Sequence, residues 1–308
     1  MLKAFLLIVV GLAGDPEHGK TFHKWGTTLA QASERLGVPS ENLAFLVDAP
    51  AEGDEKVTGR ATKEEIAKAL QGFGARAGAD DVVFVVLIGH GSYDGRSAKF
   101  NMPGPDMTGA DFNALLTKLP TKQIVFVNTA SASGPFVEAL SGPGRVIVAA
   151  TRTGGEMFAP LFGGPFVEAF TNDAADTDHD GKISVLEAFE YAKKTVATSY
   201  QQEGLLPTEH AILDDNGDKE GSLEPGRQAK DGRSAAVLAL GSMRKQAAPA
   251  NEKLRGLYAE RQAIERRIEG LKLLKSGMDP AKYTQELEKL ATELALKARE
   301  IRAAEGVK

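Results

Sequence analysis

The sequence contains no cysteine, no strongly basic block and no long hydrophobic run. Without cysteine the chain has no disulfide, no thiolate zinc site and no catalytic thiolate. A net charge of -5 without a basic block argues against nucleic acid as a partner. The apolar runs are too short for a transmembrane span. What remains is 308 residues, 42% hydrophobic and 26% charged, which is typical of a globular protein with one large or two ordinary domains.

The apolar run near the N-terminus allows two interpretations. One lysine followed by apolar residues is similar to a signal peptide. The alternative is a buried first strand at Ala4–Val10, and we favour it because the run is short and an amphipathic helix follows at once. The chain then has no clear signal peptide of its own, and a targeting signal is expected only upstream of this sequence.

Strands and helices alternate from residue 1 to about residue 150. Strands are predicted at Ala4–Val10, Leu43–Val47, Asp81–Ile88, Gln123–Val127 and Arg145–Ala150. Helices are predicted at Thr21–Leu36, Lys63–Ala77, Asp111–Leu119 and Pro135–Leu140. Continuous apolar strands with helical crossovers indicate an α/β fold with a mainly parallel sheet and helices on both faces. Ligands of such sheets bind at the carboxyl ends of the strands.

The amino-acid composition changes twice in the C-terminal half. Residues 214–234 are rich in Asp, Gly, Lys and Ser and are interpreted as a loop or linker. From about residue 250, apolar residues recur at helical spacing on both sides of a turn near Gly277 and Pro280, which predicts an antiparallel coiled-coil hairpin. We therefore predict an α/β domain at 1–240 and a helical hairpin at 250–308 that folds as its own unit.

The segment from Asp176 to Glu187, DTDHDGKISVLE, has the pattern of an EF-hand calcium loop. Gly181 supplies its sharp turn, and helices predicted at Gly164–Phe170 and Val185–Thr198 complete an EF-hand insertion at 164–200. The ligand positions are filled by Asp176, Asp178, Asp180, the Lys182 carbonyl, Ser184 and bidentate Glu187. Because EF-hands usually pair and this loop is single, we expect Ca²⁺ to bind as a structural ion. The alternative is an acidic turn without metal.

Two strand ends carry side chains that could do chemistry. In VVLIGHGSYDG, His90 follows a buried strand between two glycines, which let backbone approach a ligand closely. In IVFVNTASASGPF, a buried strand runs into a turn that offers the hydroxyls of Thr129, Ser131 and Ser133. A histidine at a strand end could act as a base, although a lone histidine is more often a packing residue. The turn could equally be small residues that fit a tight connection.

Together these stretches resemble the paired signatures of the caspase–legumain superfamily, and its legumain-like branch most closely. In that family one apolar strand ends in His-Gly, and another ends in a small residue, the nucleophilic cysteine, one variable residue and Ser-Gly. On this chain Ala130 is the small residue, Ser131 stands at the cysteine position, and Ser133 and Gly134 close the motif. The segments GLAGDPEHGKTFHKW and ERLGVPSENLAFLVD also resemble the start of that fold.

The resemblance spans residues 4–205 and implies a caspase-like, clan CD cysteine peptidase fold. It also implies that His90 is the base and that the Gly91 N–H belongs to the oxyanion hole. The chain departs from the pattern at the nucleophile. A thiol has a pKa of about 8.5 and ionises readily beside imidazolium, whereas a serine hydroxyl needs a general base oriented by a third group. Asp94 is a weak candidate for that group, and Thr129 stands where legumain-like enzymes often carry an acid.

Two hypotheses follow. In the first, the protein is a non-catalytic peptidase homologue, a calcium-stabilised scaffold with a peptide or protein ligand in the former cleft. In the second, it is an active hydrolase that uses a Ser131–His90 dyad. The C-terminal hairpin could hold a further partner. An extracytoplasmic location is expected, because legumain-like relatives are commonly exported and a single EF-hand suits a calcium-rich exterior. A further acidic stretch, Asp214–Ser222, fails as an EF-hand, and we favour an acidic turn over a second metal site.

Overall fold

The computed structural model describes residues 3–50, 54–178, 180–240 and 280–305, with scattered positions between 256 and 271. The chain divides into two compact units. One comprises residues 1–177 and 181–243, and the other comprises residues 178–180 and 244–308. Among the described helices, none is long and apolar enough to cross a membrane.

The first unit contains two sheets. The strands are β1 (Ala4–Val10), β2 (Leu43–Val47), β3 (Gly59–Arg60), β4 (Val82–Ile88), β5 (Gly91–Tyr93), β6 (Ala98–Phe100), β7 (Met107–Thr108), β8 (Gln123–Asn128), β9 (Arg145–Ala149) and β10 (Ile212–Asp214). The large sheet has the order β10-β9-β8-β4-β1-β2-β3, and every neighbouring pair is parallel except β9 with β10. Strands β5, β6 and β7 form a small antiparallel sheet beyond the end of β4.

Helices cover both faces of the large sheet. In the first unit they are α1 (Pro16–Ala32), α2 (Lys63–Gly74), α3 (Gly109–Leu116), α4 (Pro135–Leu140), α5 (Gly163–Ala169) and α6 (Val185–Glu203). Side chains alternate along each strand, so Leu6 and Ile8 of β1 pack with α1, α5 and α6, while Phe5 and Leu7 pack with α2, α3 and α4. The predicted α/β fold class with a mainly parallel sheet is therefore confirmed.

Local sequence signals explain where the helices begin. Helix α2 begins after Thr62, whose hydroxyl accepts the Glu65 N–H, as predicted. Helix α1 begins at Pro16, earlier than the predicted Thr21, because the Asp15 carboxylate accepts the backbone N–H groups of the first turn and proline suits the first helical position. The predicted start at Thr21 was wrong because it ignored this Asp-Pro pair.

The segment interpreted as a loop or linker, residues 214–234, is a packed part of the first unit. It continues from β10, which pairs with β9 at the edge of the large sheet. Leu213 and Ser222 form a further antiparallel bridge, and Asp214 and Asp231 are buried. Of the two predicted alternatives, the segment is a loop and not a linker. Its polar composition did not reveal that its polar groups are bonded to one another.

The second unit contains α7 (Pro280–Glu305), which is the second helix of the predicted hairpin. Most of the predicted first helix lies outside the described residues, and the described positions between 256 and 271 are helical. Two ion pairs join these positions to α7, Glu260 with Lys297 at 2.6 Å and Arg267 with Glu293 at 3.0 Å. The later residue of one segment pairs with the earlier residue of the other, which is the order of an antiparallel pair. The coiled coil itself stays a prediction.

Candidate functional site

His90 and Ser131 follow neighbouring strands of the large sheet. β4 and β8 are parallel and in register from Val82 with Gln123 to Leu87 with Asn128. The loop with His90 and the turn with Ser131 therefore leave the sheet side by side at its carboxyl edge. This is the edge at which α/β sheets bind ligands.

The Ser131 side chain is enclosed. It is 2% exposed, and its hydroxyl donates to the Gly91 carbonyl and accepts the Gly91 N–H, each at 3.1 Å. A Cβ at Gly91 would lie 2.2 Å from the Ser131 carbonyl oxygen, so only glycine permits this approach. The N–H assigned to an oxyanion hole by resemblance is thus already bonded to the side chain at the nucleophile position.

The His90 ring contacts a different part of the edge. Its centroid lies 4.9 Å from that of His18 and 5.1 Å from that of Phe22, both on α1. Burial lowers the pKa of His90, and the charge of His18 lowers it further, while a hydrogen bond to the Ala13 carbonyl and the charge of Asp15 oppose both. The balance favours a neutral imidazole, which is the form of a base and not the imidazolium that stabilises a thiolate.

Asp15 and His18 form a carboxylate–imidazole pair that the sequence reasoning missed. The Asp15 carboxylate oxygen lies 2.6 Å from Nδ1 of His18, and hydrogen bonds from His18 lower the pKa of Asp15. The signal was present, because β1 neighbours β4, so the loop after β1 must reach the same sheet edge as His90. An Asp-Pro start two residues before a histidine places that histidine in the first turn of the helix at this edge.

The hydroxyls of Thr129 and Ser133 are bonded to the backbone and to Thr151, which follows β9. The Thr129 hydroxyl donates to the Leu87 carbonyl at 2.8 Å. The Ser133 hydroxyl lies 3.1 Å from that of Thr151 and accepts the Thr151 N–H at 3.1 Å. Ala132 between them has φ of 53°, a left-handed conformation that is unusual for a residue with a side chain. The turn is thus held in a specific shape by its own hydroxyls.

Asp94, the candidate third group of a triad, lies in the β5–β6 hairpin. Its carboxylate accepts the backbone N–H groups of Arg96 and Ser97 and pairs with Lys99 at 3.3 Å. These contacts make it a turn residue of the hairpin, and its described partners do not include His90.

The predicted calcium loop brings several of its carboxylates together. Ligand atoms of Asp176, Asp178 and Glu187 lie within 4.8 Å of one another. The Asp176 carboxylate also accepts the N–H of Gly181 at 3.0 Å, and Gly181 has φ of +82°, which is the sharp turn that the pattern requires. Asp180 is exposed, and its N–H donates to the Asp178 carboxylate at 3.2 Å.

The end of the loop is joined to α6. Ser184 caps the helix, and Glu187 accepts the Ser184 N–H at 2.9 Å and the Ser184 hydroxyl at 2.8 Å in a capping box. The other Glu187 oxygen accepts from the Thr177 backbone and hydroxyl, both at 3.0 Å. Lys182, whose carbonyl is the predicted ligand, precedes the buried Ile183. Glu187 therefore bridges the two ends of the loop from a buried position.

Comparison with models of protein families gives one match. The Peptidase C13 family model matches residues 60–212. The match covers just under half of the chain and includes both His90 and Ser131, and it supports the clan CD peptidase-like fold that the motifs predicted. No curated protein matches the chain at a significant level.

Two solved structures are similar at low identity. A structural-genomics protein from Geobacter sulfurreducens aligns with a TM-score of 0.44 and 12% identity, over 69% of this chain and 92% of its own. A secreted C11 cysteine protease from Bacteroides thetaiotaomicron, solved with an irreversible peptide inhibitor, aligns with a TM-score of 0.39 and 12% identity, over 70% of this chain and 66% of its own. Neither similarity bears on activity.

Proposed function

We propose that the chain is a non-catalytic homologue of legumain- and caspase-like peptidases, a calcium-stabilised scaffold that binds a peptide or protein segment at the carboxyl edge of its sheet. The observation that carries the non-catalytic part is the environment of Ser131. Its hydroxyl is buried, and both of its hydrogen bonds go to the backbone of Gly91.

A serine nucleophile needs a base within hydrogen-bond reach, and the base needs a group that orients it. His90 has the neutral form of a base, but its described contacts are with α1 and the loop after β1. To become a nucleophile, Ser131 would have to give up two hydrogen bonds and gain access to solvent. Breaking buried hydrogen bonds without replacing them costs about 1–3 kcal/mol for each group left unpaired. A hydroxyl so held favours a structural role.

The ligand-binding part rests on apolar side chains beside the Ser131 turn. The Ala132 N–H donates to the Glu156 carbonyl at 2.8 Å, so the segment after β9 lies against this turn. Immediately beyond, Met157 and Phe158 are 62% and 73% exposed. Large apolar side chains next to a site at the carboxyl edge of a sheet are typical of a surface that packs against a partner.

The calcium part rests on Asp176, Asp178 and Glu187. Three carboxylates so close to one another repel without a cation, and oxygen ligands on one short loop suit Ca²⁺ better than the smaller, strictly octahedral Mg²⁺. Bound calcium would tie the loop to the first turn of α6 through Glu187. The ion would thus act on stability and not on chemistry.

The two hypotheses are separated by labelling with a fluorophosphonate probe, which reacts with activated serines. We expect no labelling of the wild-type chain above the level of Ser131→Ala. Ser199→Ala, which changes a serine on α6 bonded to the Thr195 carbonyl, is the matched control. Labelling lost in both Ser131→Ala and His90→Ala, but kept in Ser199→Ala, would establish the hydrolase with a Ser131–His90 dyad and refute the non-catalytic proposal.

A further inference from the structure

The loop after β10 lies between two buried carboxylates. Asp214, at the end of the strand, is 1% exposed, and Asp231 is fully buried. Asp231 lies beside the backbone that follows Asp214, because its carboxylate closes the base of the loop. It accepts the Asp215 N–H at 3.3 Å and the Ser222 hydroxyl. The charge of Asp214 is one of the causes, after burial, that raise the pKa of Asp231.

Asp214 presents one oxygen that is bonded and one that is not. Oδ1 accepts the backbone N–H groups of Asn216 at 3.2 Å and Gly217 at 3.1 Å. Oδ2 is buried and has no hydrogen-bond partner among the described residues. A buried carboxylate oxygen without a partner is costly, and native structures rarely leave one unless an ion or water binds it.

The lysine that adjoins Asp231 in the sequence is paired with other carboxylates. Lys230 pairs with Asp218 at 2.6 Å and with Glu220 at 2.9 Å, which are carboxylates on the exposed side of the loop. Its positive charge is therefore committed to other acids.

We propose that the carboxylates of Asp214 and Asp231 bind a hard divalent cation, Ca²⁺ being the best fit, at a second site distinct from the loop Asp176–Glu187. The two side chains offer oxygen ligands, which suit Ca²⁺ better than the softer metals that prefer nitrogen and sulfur. With Oδ1 of Asp214 fixed by two N–H groups, Oδ2 is the oxygen left for the ion. The cation would join the end of β10 to the segment around Asp231 and hold this edge of the sheet together.

This site uses residues that the first calcium loop does not, so the two can be tested apart. The experiment is calorimetric titration of CaCl₂ into the chelator-stripped full chain. We expect two binding events in the wild type, one in Glu187→Gln, one in Asp214→Asn and none in the double variant. Glu187→Gln leaves the loop after β10 unchanged, so its titration measures the second site by itself. If Glu187→Gln binds no calcium while the wild type binds one ion, the second site is refuted and the first stands. If Glu187→Gln loses nothing, the first site fails instead.

Thermal unfolding distinguishes a cation from a shared proton, which is the other way to neutralise such a pair. If calcium binds there, Asp214→Asn melts at or above the wild-type temperature in EDTA, because one buried charge is gone, and gains less from calcium than the wild type does. If the pair shares a proton, Asp214→Asn changes stability equally with and without calcium, and this overturns the proposal. Asp231→Asn must give the same pattern as Asp214→Asn, and Asp218→Asn, on the exposed side beside Lys230, serves as the control that keeps the full calcium response.

Discussion

At the carboxyl edge of the sheet, the hydroxyls of Thr129, Ser131 and Ser133 all have protein partners. In the loop after β10, the Asp214 carboxylate is as deeply buried but has an oxygen without one. Both regions place polar side chains in turns that follow a strand. The hydroxyls of the first region are satisfied within the protein, whereas we propose that a cation binds the oxygen of the second that has no partner among the described residues.

The comparison shows why resemblance and geometry lead to different conclusions about the two regions. The edge with His90 and Ser131 resembles the motifs of an enzyme, yet the hydroxyls of its turn are all bonded within the protein. The loop after β10 matches no enzyme motif, yet Oδ2 of Asp214 has no hydrogen-bond partner among the described residues, and a bound ion would supply one. A catalytic group must be available to react, and availability is read from its hydrogen bonds and exposure and not from its position in a motif.

The largest expected effect is on the calcium-dependent stability that we propose for the loop Asp176–Glu187. Glu187→Gln keeps the side-chain volume but removes a charge on which the proposed calcium site in the loop Asp176–Glu187 depends. At a hundredfold excess of calcium over its dissociation constant, a site that exists only in the folded state adds about 2.7 kcal/mol to the free energy of unfolding. We expect the variant to lose about that much of its calcium-dependent stabilisation, measured by calorimetric melting in calcium and in EDTA, and magnesium to substitute poorly.

The control for this change is Glu203→Gln, which alters an exposed glutamate at the other end of α6. It should keep the full calcium response. A Glu187→Gln variant that gains as much from calcium as the wild type would show that the loop Asp176–Glu187 is a solvated acidic turn.

A second effect tests the packing at the sheet edge. Gly91→Ala puts a Cβ where it would lie 2.2 Å from the Ser131 carbonyl oxygen, so the two loops must separate. We expect a loss of about 1–3 kcal/mol in the free energy of unfolding, measured by urea denaturation, as for other overpacked sites. Gly72→Ala is the matched control, because it lies within α2 with nothing within 4 Å of the added Cβ.

Gly72→Ala should raise stability by about 0.5–1 kcal/mol, since alanine loses less conformational freedom than glycine in a helix. The opposite signs make the pair informative. If Gly91→Ala is as well tolerated as Gly72→Ala, the two loops are not in the close contact that commits the Ser131 hydroxyl to the Gly91 backbone.

The regular part of the fold could be predicted because each element carries its own signal. The bounds of β1, β2 and α4 agree with their apolar runs and with the proline that opens α4. The small sheet β5–β7 and the strand β10 were missed because strands of two or three residues have too few positions to show alternation. Their pairing is set by neighbours distant in sequence, which no local pattern reveals.

The position of the candidate site could be predicted from the sequence, but the contacts of its residues could not. Parallel neighbours bring the residues after β4 and β8 to one edge, so His90 and Ser131 could be placed there from the sequence. The ring contacts of His90 come from His18 and Phe22 of α1, and the Ser131 hydroxyl bonds the backbone of the neighbouring Gly91. A mutual contact between residues from three elements is a property of the packed fold, and spacing along the chain does not encode it.

The smallest expected effect concerns the titration of His90. Its pKa is lowered in the folded state, first by burial and then by the charge of His18. Because the unfolded chain has the ordinary histidine pKa of about 6.5, it takes up a proton first as the pH falls. The neutral His90 therefore contributes stability that is fully present above that value and is lost as the pH falls through the lowered pKa of the folded state. Asp15 and the Ala13 carbonyl act in the opposite direction, so the effect is small.

We expect His90→Gln to flatten the dependence of unfolding free energy on pH between about pH 7.5 and pH 5, measured by urea denaturation across that range. Asp15, whose pKa is lowered from an already acidic value, stays charged over this interval and does not mask the change. His210→Gln is the control, since His210 pairs with Glu156 at a half-exposed position. If wild type and His90→Gln show the same slope, the imidazole is protonated in the folded chain as readily as in the unfolded one. His90 would then form an imidazolium as readily as an unfolded histidine does. That result would remove the argument that separates His90 from the catalytic histidine of the peptidases that the motifs resemble.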